Sequence, residues 1–296
     1  MKILITGGTG LLGKALIENN SDKVEMMATF VGDYDMKNTD QVRYQKLDIR
    51  DKDGYLRLFR EFQPEVTIHT ASIGSPDYAE KNKEETWEVN VGGTQNILSL
   101  CEEFDSKFIY ISSNGIYDGN KAPYGEKNKA EPINYYGQVK LEGEKVTKKA
   151  KVSYAIVRPI LMYGWNHPFE RTNIITLALS KLQKGETMYV YEDVYTNPLF
   201  ALSCAEAIWK LIGLNKFETF NIAGKDRISV YEFVKKAAQI FGLSEKLVIP
   251  VKQGYFNELV PRPKDTSYNT EKMQRVLKLE PLSVSEGLSL MKRSHE

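Results

Sequence analysis

Lys2-Ile3-Leu4-Ile5-Thr6-Gly7-Gly8-Thr9-Gly10-Leu11-Leu12-Gly13-Lys14-Ala15-Leu16-Ile17-Glu18 stands at the start of the chain. Residues 2–6 are an apolar strand signal, the glycines at 7, 10 and 13 mark a turn, and the run from Lys14 reads as helix. Each glycine has a physical job at that spacing. Gly7 permits a sharp turn, Gly10 lets backbone approach a pyrophosphate, and Gly13 lets the helix lie close against the strand. The helix start offers free N–H groups and the positive end of its dipole to phosphate. A glycine triplet alone is weakly specific. Directly after a strand and directly before a helix, it predicts a dinucleotide-binding turn.

Composition narrows the rest. The 296 residues carry 40 Lys+Arg against 39 Asp+Glu, a net charge of +1, with 42% hydrophobic and 27% charged residues. This suits a globular chain large enough for about two domains, or one large α/β unit with an appended lobe. Near-neutral charge gives no electrostatic case for nucleic acid or an anionic membrane as partner. No run approaches ~18 apolar residues, so no membrane span is expected. Met1 leads straight into strand and turn, so no signal peptide is expected and the expected location is cytoplasmic. Cys101 and Cys204 lack metal-site spacing and read as free buried thiols in a reducing compartment. His69, His167 and His295 form no ligand pattern. The 17 tyrosines suit sugar or nucleotide contacts, and equally half-buried packing.

Outward from the turn, strands and helices alternate. Residues 24–31 read as the second strand. A site selective for NAD places an acid near the end of this strand, on the ribose 2′-OH. Here Thr29-Phe30-Val31 carries none, and the first carboxylate is Asp33, which tilts the expectation toward NADPH. Residues 42–47 form a third strand closed by Asp48, which either contacts the adenine amino group or caps the helix at 51–62. Residues 65–71 are the fourth strand and its end, with His69 read as a packed residue and with Ala71, Ser72 and Gly74 small enough to admit a cofactor. Residues 77–104 are helical by periodicity, with Trp87, Val91, Ile97, Leu98 and Cys101 as the apolar stripe and Asn90-Val91-Gly92-Gly93 as an interruption. Asn90 either bonds a neighbouring backbone or is solvated. Residues 107–111 are the fifth strand and 152–158 the sixth, with a helix starting at Asn134. The pattern predicts an α/β Rossmann fold, a doubly wound parallel sheet. Residues 1–160 form the nucleotide-binding domain. Residues 161–296 form a smaller α/β substrate-binding lobe, interleaved with it, with helices at 172–184, 203–213, 229–241, 270–277 and 283–292 and strands at 187–191 and 217–222. No internal repeat or low-complexity segment occurs.

The fifth strand runs into Ser112-Ser113-Asn114-Gly115, and hydroxyls at the carboxyl end of a parallel strand point into the ligand crevice. Tyr136 and Lys140 lie four apart on one helical face. A phenol has a reference pKa of about 10 and is a poor acid or base alone. A lysine one turn on, or the positive ring of an oxidised nicotinamide, lowers it. Tyr136 can then give a proton to a carbonyl oxygen as hydride arrives, Ser113 can hydrogen-bond that oxygen, and Lys140 can hold the nicotinamide ribose.

These residues resemble an extended short-chain dehydrogenase/reductase, and within that superfamily dTDP-4-dehydrorhamnose reductases and their relatives. The resemblance rests on residues 7–13, Leu47-Asp48-Ile49, residues 110–119, the run Pro132-x-Asn134-x-Tyr136-Gly137-x-x-Lys140-Leu141-x-Gly143-Glu144, and Pro261-Arg262-Pro263. It covers nearly the whole chain and is strongest over 1–160. It implies Ser113, Tyr136 and Lys140 as the catalytic set, reducing a 4-keto group on a nucleoside-diphosphate sugar. It implies NADPH as cofactor, with NADH possible. The implied cofactor contacts are Gly7, Thr9, Gly10, Leu11, Leu12, Gly13, Asp48, Ile49, Thr70, Ala71, Ser72, Tyr136, Lys140 and Arg158. The implied substrate contacts are Ser75, Asn114, Tyr163 and Arg262, the last equally readable as a surface ion pair. No metal is implied, and a homodimer through 79–104 and 134–149 is a family-level expectation.

The chain also departs from the family pattern. Ser113-Asn114 stands where rhamnose reductases carry Thr-Asp, and the wording of 112–117 leans toward sugar-nucleotide epimerases. Dehydratases need Asp-Glu after the hydroxyl residue, which Asn114-Gly115 lacks. Residues 166–169 and 192–198 are where substrate choice is expected to lie. The rival expectations are an epimerase with tightly held NAD and a non-catalytic NADP-binding regulatory subunit.

Overall fold

A computed structural model describes residues 1–20 and 24–294; His295 lies outside the described residues. The first half runs β1 (Lys2–Thr6), α1 (Leu11–Glu18), β2 (Glu25–Phe30), β3 (Val42–Lys46), α2 (Lys52–Phe62), β4 (Val66–His69), α3 (Pro76–Lys81), α4 (Lys83–Trp87), α5 (Gly93–Glu103), β5 (Lys107–Ile111), α6 (Tyr135–Thr147) and β6 (Tyr154–Pro159). The second runs β7 (Met162–Tyr163), α7 (Ile174–Gln183), β8 (Met188–Tyr191), β9 (Tyr195–Thr196), β10 (Leu199–Phe200), α8 (Ala201–Gly213), β11 (Thr219–Ile222), β12 (Ile228–Ser229), α9 (Val230–Ile240), β13 (Val248–Val251), α10 (Glu271–Leu277) and α11 (Val284–Arg293).

Seven strands make one parallel sheet in the order β11-β6-β5-β4-β1-β2-β3. This is the doubly wound order, with the chain reversing direction of growth between β1 and β4, where ligands bind in such sheets. The seventh strand, β11, comes from the second half and pairs with β6 from Thr219↔Ile156 to Ile222↔Pro159. Side-chain alternation builds the layers. Ile3 and Ile5 point to one face, into a cluster with Leu16, Ala28 and Ile208. Leu4 points to the other, with Tyr55, Phe59 and Phe108. A fully buried side chain of this kind contributes about 1.5–3 kcal/mol. A third cluster, with Tyr163, Ile175, Phe233 and Leu288, is the core of the second half.

Two local features differ from the sequence expectation. The helix expected over 77–104 is three helices, with a π turn at Glu88–Gly92 between α4 and α5. The turn inserts a residue into the helical ladder and brings Asn90 onto the loop after β4. There its side chain donates to Ile73 O at 3.0 Å and accepts from Ile73 N at 2.7 Å. Trp87, placed in the apolar stripe by its spacing, is 47% exposed at the end of α4. The second difference is β13, which contains Pro250. Among the described residues β13 pairs only with β8, and a strand with one free edge tolerates proline's missing N–H.

Candidate active site

The glycine turn sits at the carboxyl end of β1. Gly7 has φ +70°, a left-handed conformation that disfavours a side chain. A Cβ on Gly13 would lie 2.4 Å from Gly7 O, so α1 approaches the turn closely only because Gly13 has none. The N-cap of α1 is Gly10, and no side chain satisfies the helix's first N–H groups. An uncapped helix start behind a left-handed glycine fits a phosphate. Leu12 is buried in the core behind the turn, and Leu11 is half-buried. Thr9 Oγ1 donates a 2.6 Å hydrogen bond to Glu170 Oε1, from the second half of the chain.

The neighbouring strand end is tied to the turn. Thr70 Oγ1 donates to Thr6 O at 2.6 Å, and Ala71 N donates to Thr6 Oγ1 at 3.3 Å. Ser72 is exposed beyond them. His69 is buried, with Thr6 Oγ1 at 2.8 Å from Nδ1 and Thr94 Oγ1 at 3.1 Å from Nε2. Burial, together with the Lys140 charge, pushes its pKa down to about 3, so it is a neutral packing residue. Asp48 does not cap α2. The cap is Asp51, whose Oδ1 accepts from Gly54 N at 2.9 Å. Asp48 is forked by Arg50, Nε at 3.1 Å and Nη2 at 2.6 Å, and that hydrogen bond holds its carboxyl below the usual range. Ile49 is buried, and its carbonyl accepts from Asn96 Nδ2 at 3.2 Å.

At the ends of β5 and β4 the structure gathers Ser113, Tyr136 and Lys140. Asn134 caps α6, its Oδ1 accepting from Gly137 N at 3.0 Å, and so fixes where Tyr136 begins. A Cβ on Gly115 would lie 3.1 Å from Tyr136 Cε1 and 3.4 Å from Ser113 Oγ, which places the two side chains around one glycine. Ser113 Oγ also accepts from Gly115 N at 3.0 Å. Burial raises the Tyr136 phenol, while a Ser113 hydrogen bond and the Arg171 charge pull it down. Lys140 is 3% exposed. Its Nζ donates to Ile111 O at 3.1 Å and lies 5.5 Å from the Tyr110 ring centroid. Burial pushes its pKa down to about 8. The Ser113 hydrogen bond and the Arg171 charge oppose the rise of the Tyr136 phenol, and Lys140 lies one helical turn from Tyr136 on α6.

Two expected contacts are corrected. Arg158 is 4% exposed and donates four hydrogen bonds within the protein. Two go to the Glu144 carboxylate at 2.7 and 2.6 Å, one to Tyr117 OH at 2.9 Å and one to Glu126 O at 3.1 Å. A guanidinium so engaged braces β6 and α6 and is not free for a cofactor. Tyr163 is 1% exposed and packs on Phe200 and Phe233 inside the second-half core, so it is not a substrate contact.

On the substrate side, Arg262 Nη2 meets Asp77 Oδ2 at 2.6 Å, joining the C-terminal segment to α3. Glu258 lies 3.5 Å from its Nε. Asp77 Oδ1, Arg262 Nη1 and Tyr191 OH are buried without a hydrogen-bond partner, which leaves polar valence for a ligand there. Ser75 caps α3 through Tyr78 N at 3.3 Å. Asn114 Nδ2 donates to Thr266 Oγ1 at 2.7 Å. Glu144, which the sequence offers only as part of the family run, and Glu170 and Arg171, which it does not single out, join the site in the structure. Only Glu144 carried a local signal, since it follows Tyr136 and Lys140 at the same four-residue step. Among the described residues no cluster of metal-ligating side chains occurs, and no helix is long and apolar enough to cross a membrane.

The profile of the RmlD substrate binding domain matches residues 1–295. Methionine adenosyltransferase 2 subunit beta of Rattus norvegicus is 27% identical over 256 residues, covering 84% of this chain and 75% of that one. The dTDP-4-dehydrorhamnose reductase of Bacillus anthracis, solved in complex with NADP, is 26% identical with a TM-score of 0.85, covering 99% of both chains. A hypothetical dTDP-4-dehydrorhamnose reductase of Sulfolobus tokodaii is 27% identical with a TM-score of 0.82, covering 97% of this chain and 99% of the other.

Proposed function

The chain belongs to the RmlD substrate binding domain family, whose fold is that of NAD(P)-dependent reductases of the extended short-chain dehydrogenase/reductase type, and from that premise we propose that it reduces the 4-keto group of a nucleoside-diphosphate sugar with NADPH. The observation that carries this reading is the convergence of Ser113 Oγ and the Tyr136 ring around Gly115, with Lys140 Nζ behind the end of β5.

A nicotinamide, when bound, supplies the hydride. The protein's own residues handle the proton and the charge. Ser113 Oγ donates a hydrogen bond to the substrate carbonyl oxygen and fixes it beside Tyr136. Tyr136 gives its phenol proton to that oxygen as negative charge builds there. The phenolate left behind is stabilised by the Arg171 charge, which already opposes the rise of its pKa in the free protein, while the one Ser113 proton stays donated to the substrate oxygen. Lys140, protonated at neutral pH, puts a positive charge and two further N–H donors beneath the strand ends, where a ribose hydroxyl can accept.

Preference for NADPH is supported by the end of β2. Val31 is 58% exposed there, and Lys46 stands in register with Phe30 on the next strand. Asp33 pairs with Lys46, leaving a cation whose partner a 2′-phosphate can replace. Arg262 and Asp77 span the two halves where a sugar nucleotide would lie.

A second reading is a dinucleotide-binding subunit without turnover, which the likeness to a chain named as the beta subunit of a methionine adenosyltransferase favours. One experiment separates the two. The purified protein is titrated with NADPH and NADH by fluorescence, then assayed for NADPH oxidation with a 4-keto-6-deoxy nucleotide sugar. Turnover in the wild type that is lost in Tyr136→Phe, with binding retained, supports the reductase. Binding without turnover in either protein moves the assignment to the subunit.

A further inference from the structure

Residues 165–172, between β7 and α7, lie against the glycine turn of the first half. Two contacts hold them there. Glu170 Oε1 takes the Thr9 hydroxyl at 2.6 Å. Phe169 stacks on Tyr34, with ring centroids 3.9 Å apart and planes 20° apart. His167 stacks on Phe169 at 5.0 Å and 7°. The segment is braced within itself. Asn166 Nδ2 donates to His167 O at 2.9 Å and Glu170 O at 3.3 Å, and Glu170 N donates to His167 O at 3.0 Å. Its far end is pinned by Asn173, which caps α7 and donates to Gly164 O at 2.7 Å.

Both contacts fall on places a dinucleotide needs. Thr9 belongs to the turn, and the helix start behind it has no side-chain cap. Tyr34 follows β2, the strand whose end meets the adenosine ribose in this fold. A carboxylate on Thr9 stands where pyrophosphate oxygens would come, and two anions at one set of donors repel. We propose that residues 165–172 are a strap whose Glu170 is a built-in anion at the pyrophosphate end of the turn, so that dinucleotide binding requires Glu170 to leave Thr9. The inference rests on the dinucleotide reading of the site and adds its regulation. The strap also carries Arg171, whose charge reaches Tyr136, so its lifting at the phosphate end alters the field at the phenol.

The test uses Glu170→Gln, which keeps size and removes charge, and Phe169→Ala, which removes the aromatic anchor. Both are expected to bind NADPH and NADH about fivefold more tightly than wild type, the worth of one modest competing hydrogen bond. Equal or weaker affinity in both variants overturns the strap. Hydrogen exchange of residues 165–172, with inorganic pyrophosphate as probe, tests the strap without reference to nicotinamide. Pyrophosphate is expected to speed exchange there in the wild type, and unchanged exchange at saturating pyrophosphate overturns the proposal. If folded wild-type protein binds neither dinucleotide, the functional reading fails and the exchange result alone decides the strap.

Discussion

Glu144 accepts a 2.7 Å hydrogen bond from Ser112, the residue immediately before Ser113. It stands two four-residue steps after Tyr136 and one after Lys140 on α6, so one helix face carries both site residues and the clamp that positions the opposing strand end. Burial pushes Glu144 upward, but the Arg158 hydrogen bonds and charge outweigh it and hold the carboxyl below its ordinary 4.5. Replacing it, as in Glu144→Gln, leaves Arg158 buried without a counter-charge, and the expected loss is about 3–5 kcal/mol in urea denaturation. The sign with pH follows from the lowered pKa. The stabilisation is complete above 4.5 and fades as pH falls through the lower folded value, so the gap between wild type and variant closes in acid.

Tyr136→Phe removes the proton donor and little else, because the ring still packs on Gly115. Its kcat is expected to fall by about 10²–10⁴-fold, the usual worth of a positioned acid, with dinucleotide affinity held within about twofold. Stopped-flow reduction together with fluorescence titration measures both.

Lys140 gives a pH limb. Its folded pKa of about 8 means that the ammonium is present below that value and lost above it. Reduction by the wild type is expected to decline as pH rises through about 8. Lys140→Met is expected to be slow throughout, with no such limb. Stability moves the other way. The folded state holds its proton less tightly than the unfolded chain, whose lysine keeps 10.5, so the burial penalty is full below about 8 and is relieved between there and 10.5.

Gly13→Ala drives a Cβ to within 2.4 Å of Gly7 O. α1 must move off the turn, at a cost of about 1–3 kcal/mol for overpacking. Dinucleotide affinity is expected to fall by about tenfold or more as the helix start leaves its phosphate. Gly74→Ala is the control. A Cβ there meets nothing within 4 Å, so stability should stay within about 0.5 kcal/mol. Thermal unfolding of the two variants checks the contrast.

The glycine turn and the alternating strands were legible because their information is local. A left-handed Gly7 and a side-chain-free Gly13 are requirements of a strand–turn–helix unit and leave their mark within seven residues. The grouping of Tyr136 with Lys140 is equally local, being one helical step. Arg158 enters the cofactor set only through the family resemblance, and nothing beside it in the sequence announces its burial, which rests on Glu144, Tyr117 and Glu126 from other segments. Tyr163 was misread because its burial depends on Phe200, Phe233 and Gly287, none near it in sequence. β13 was hidden by Pro250, which argues against a strand until the free edge is known. The contact between Thr9 and Glu170 spans 161 positions and has no signature in either neighbourhood.

The return of the chain at β11 has a kinetic consequence. The sheet cannot be completed until a strand beginning at Thr219 reaches β6, which ended at Pro159, so a loop of about 60 residues must close first. Loop closure of that length is entropically mild, but it delays the contacts that reward it. Until it happens, β6 presents an open row of N–H and C=O groups flanked by the buried Ala155 and Val157, an adhesive edge for any neighbouring chain. A nascent chain released after β6 is therefore expected to self-associate, and the full-length chain is protected by the order in which its own strands arrive.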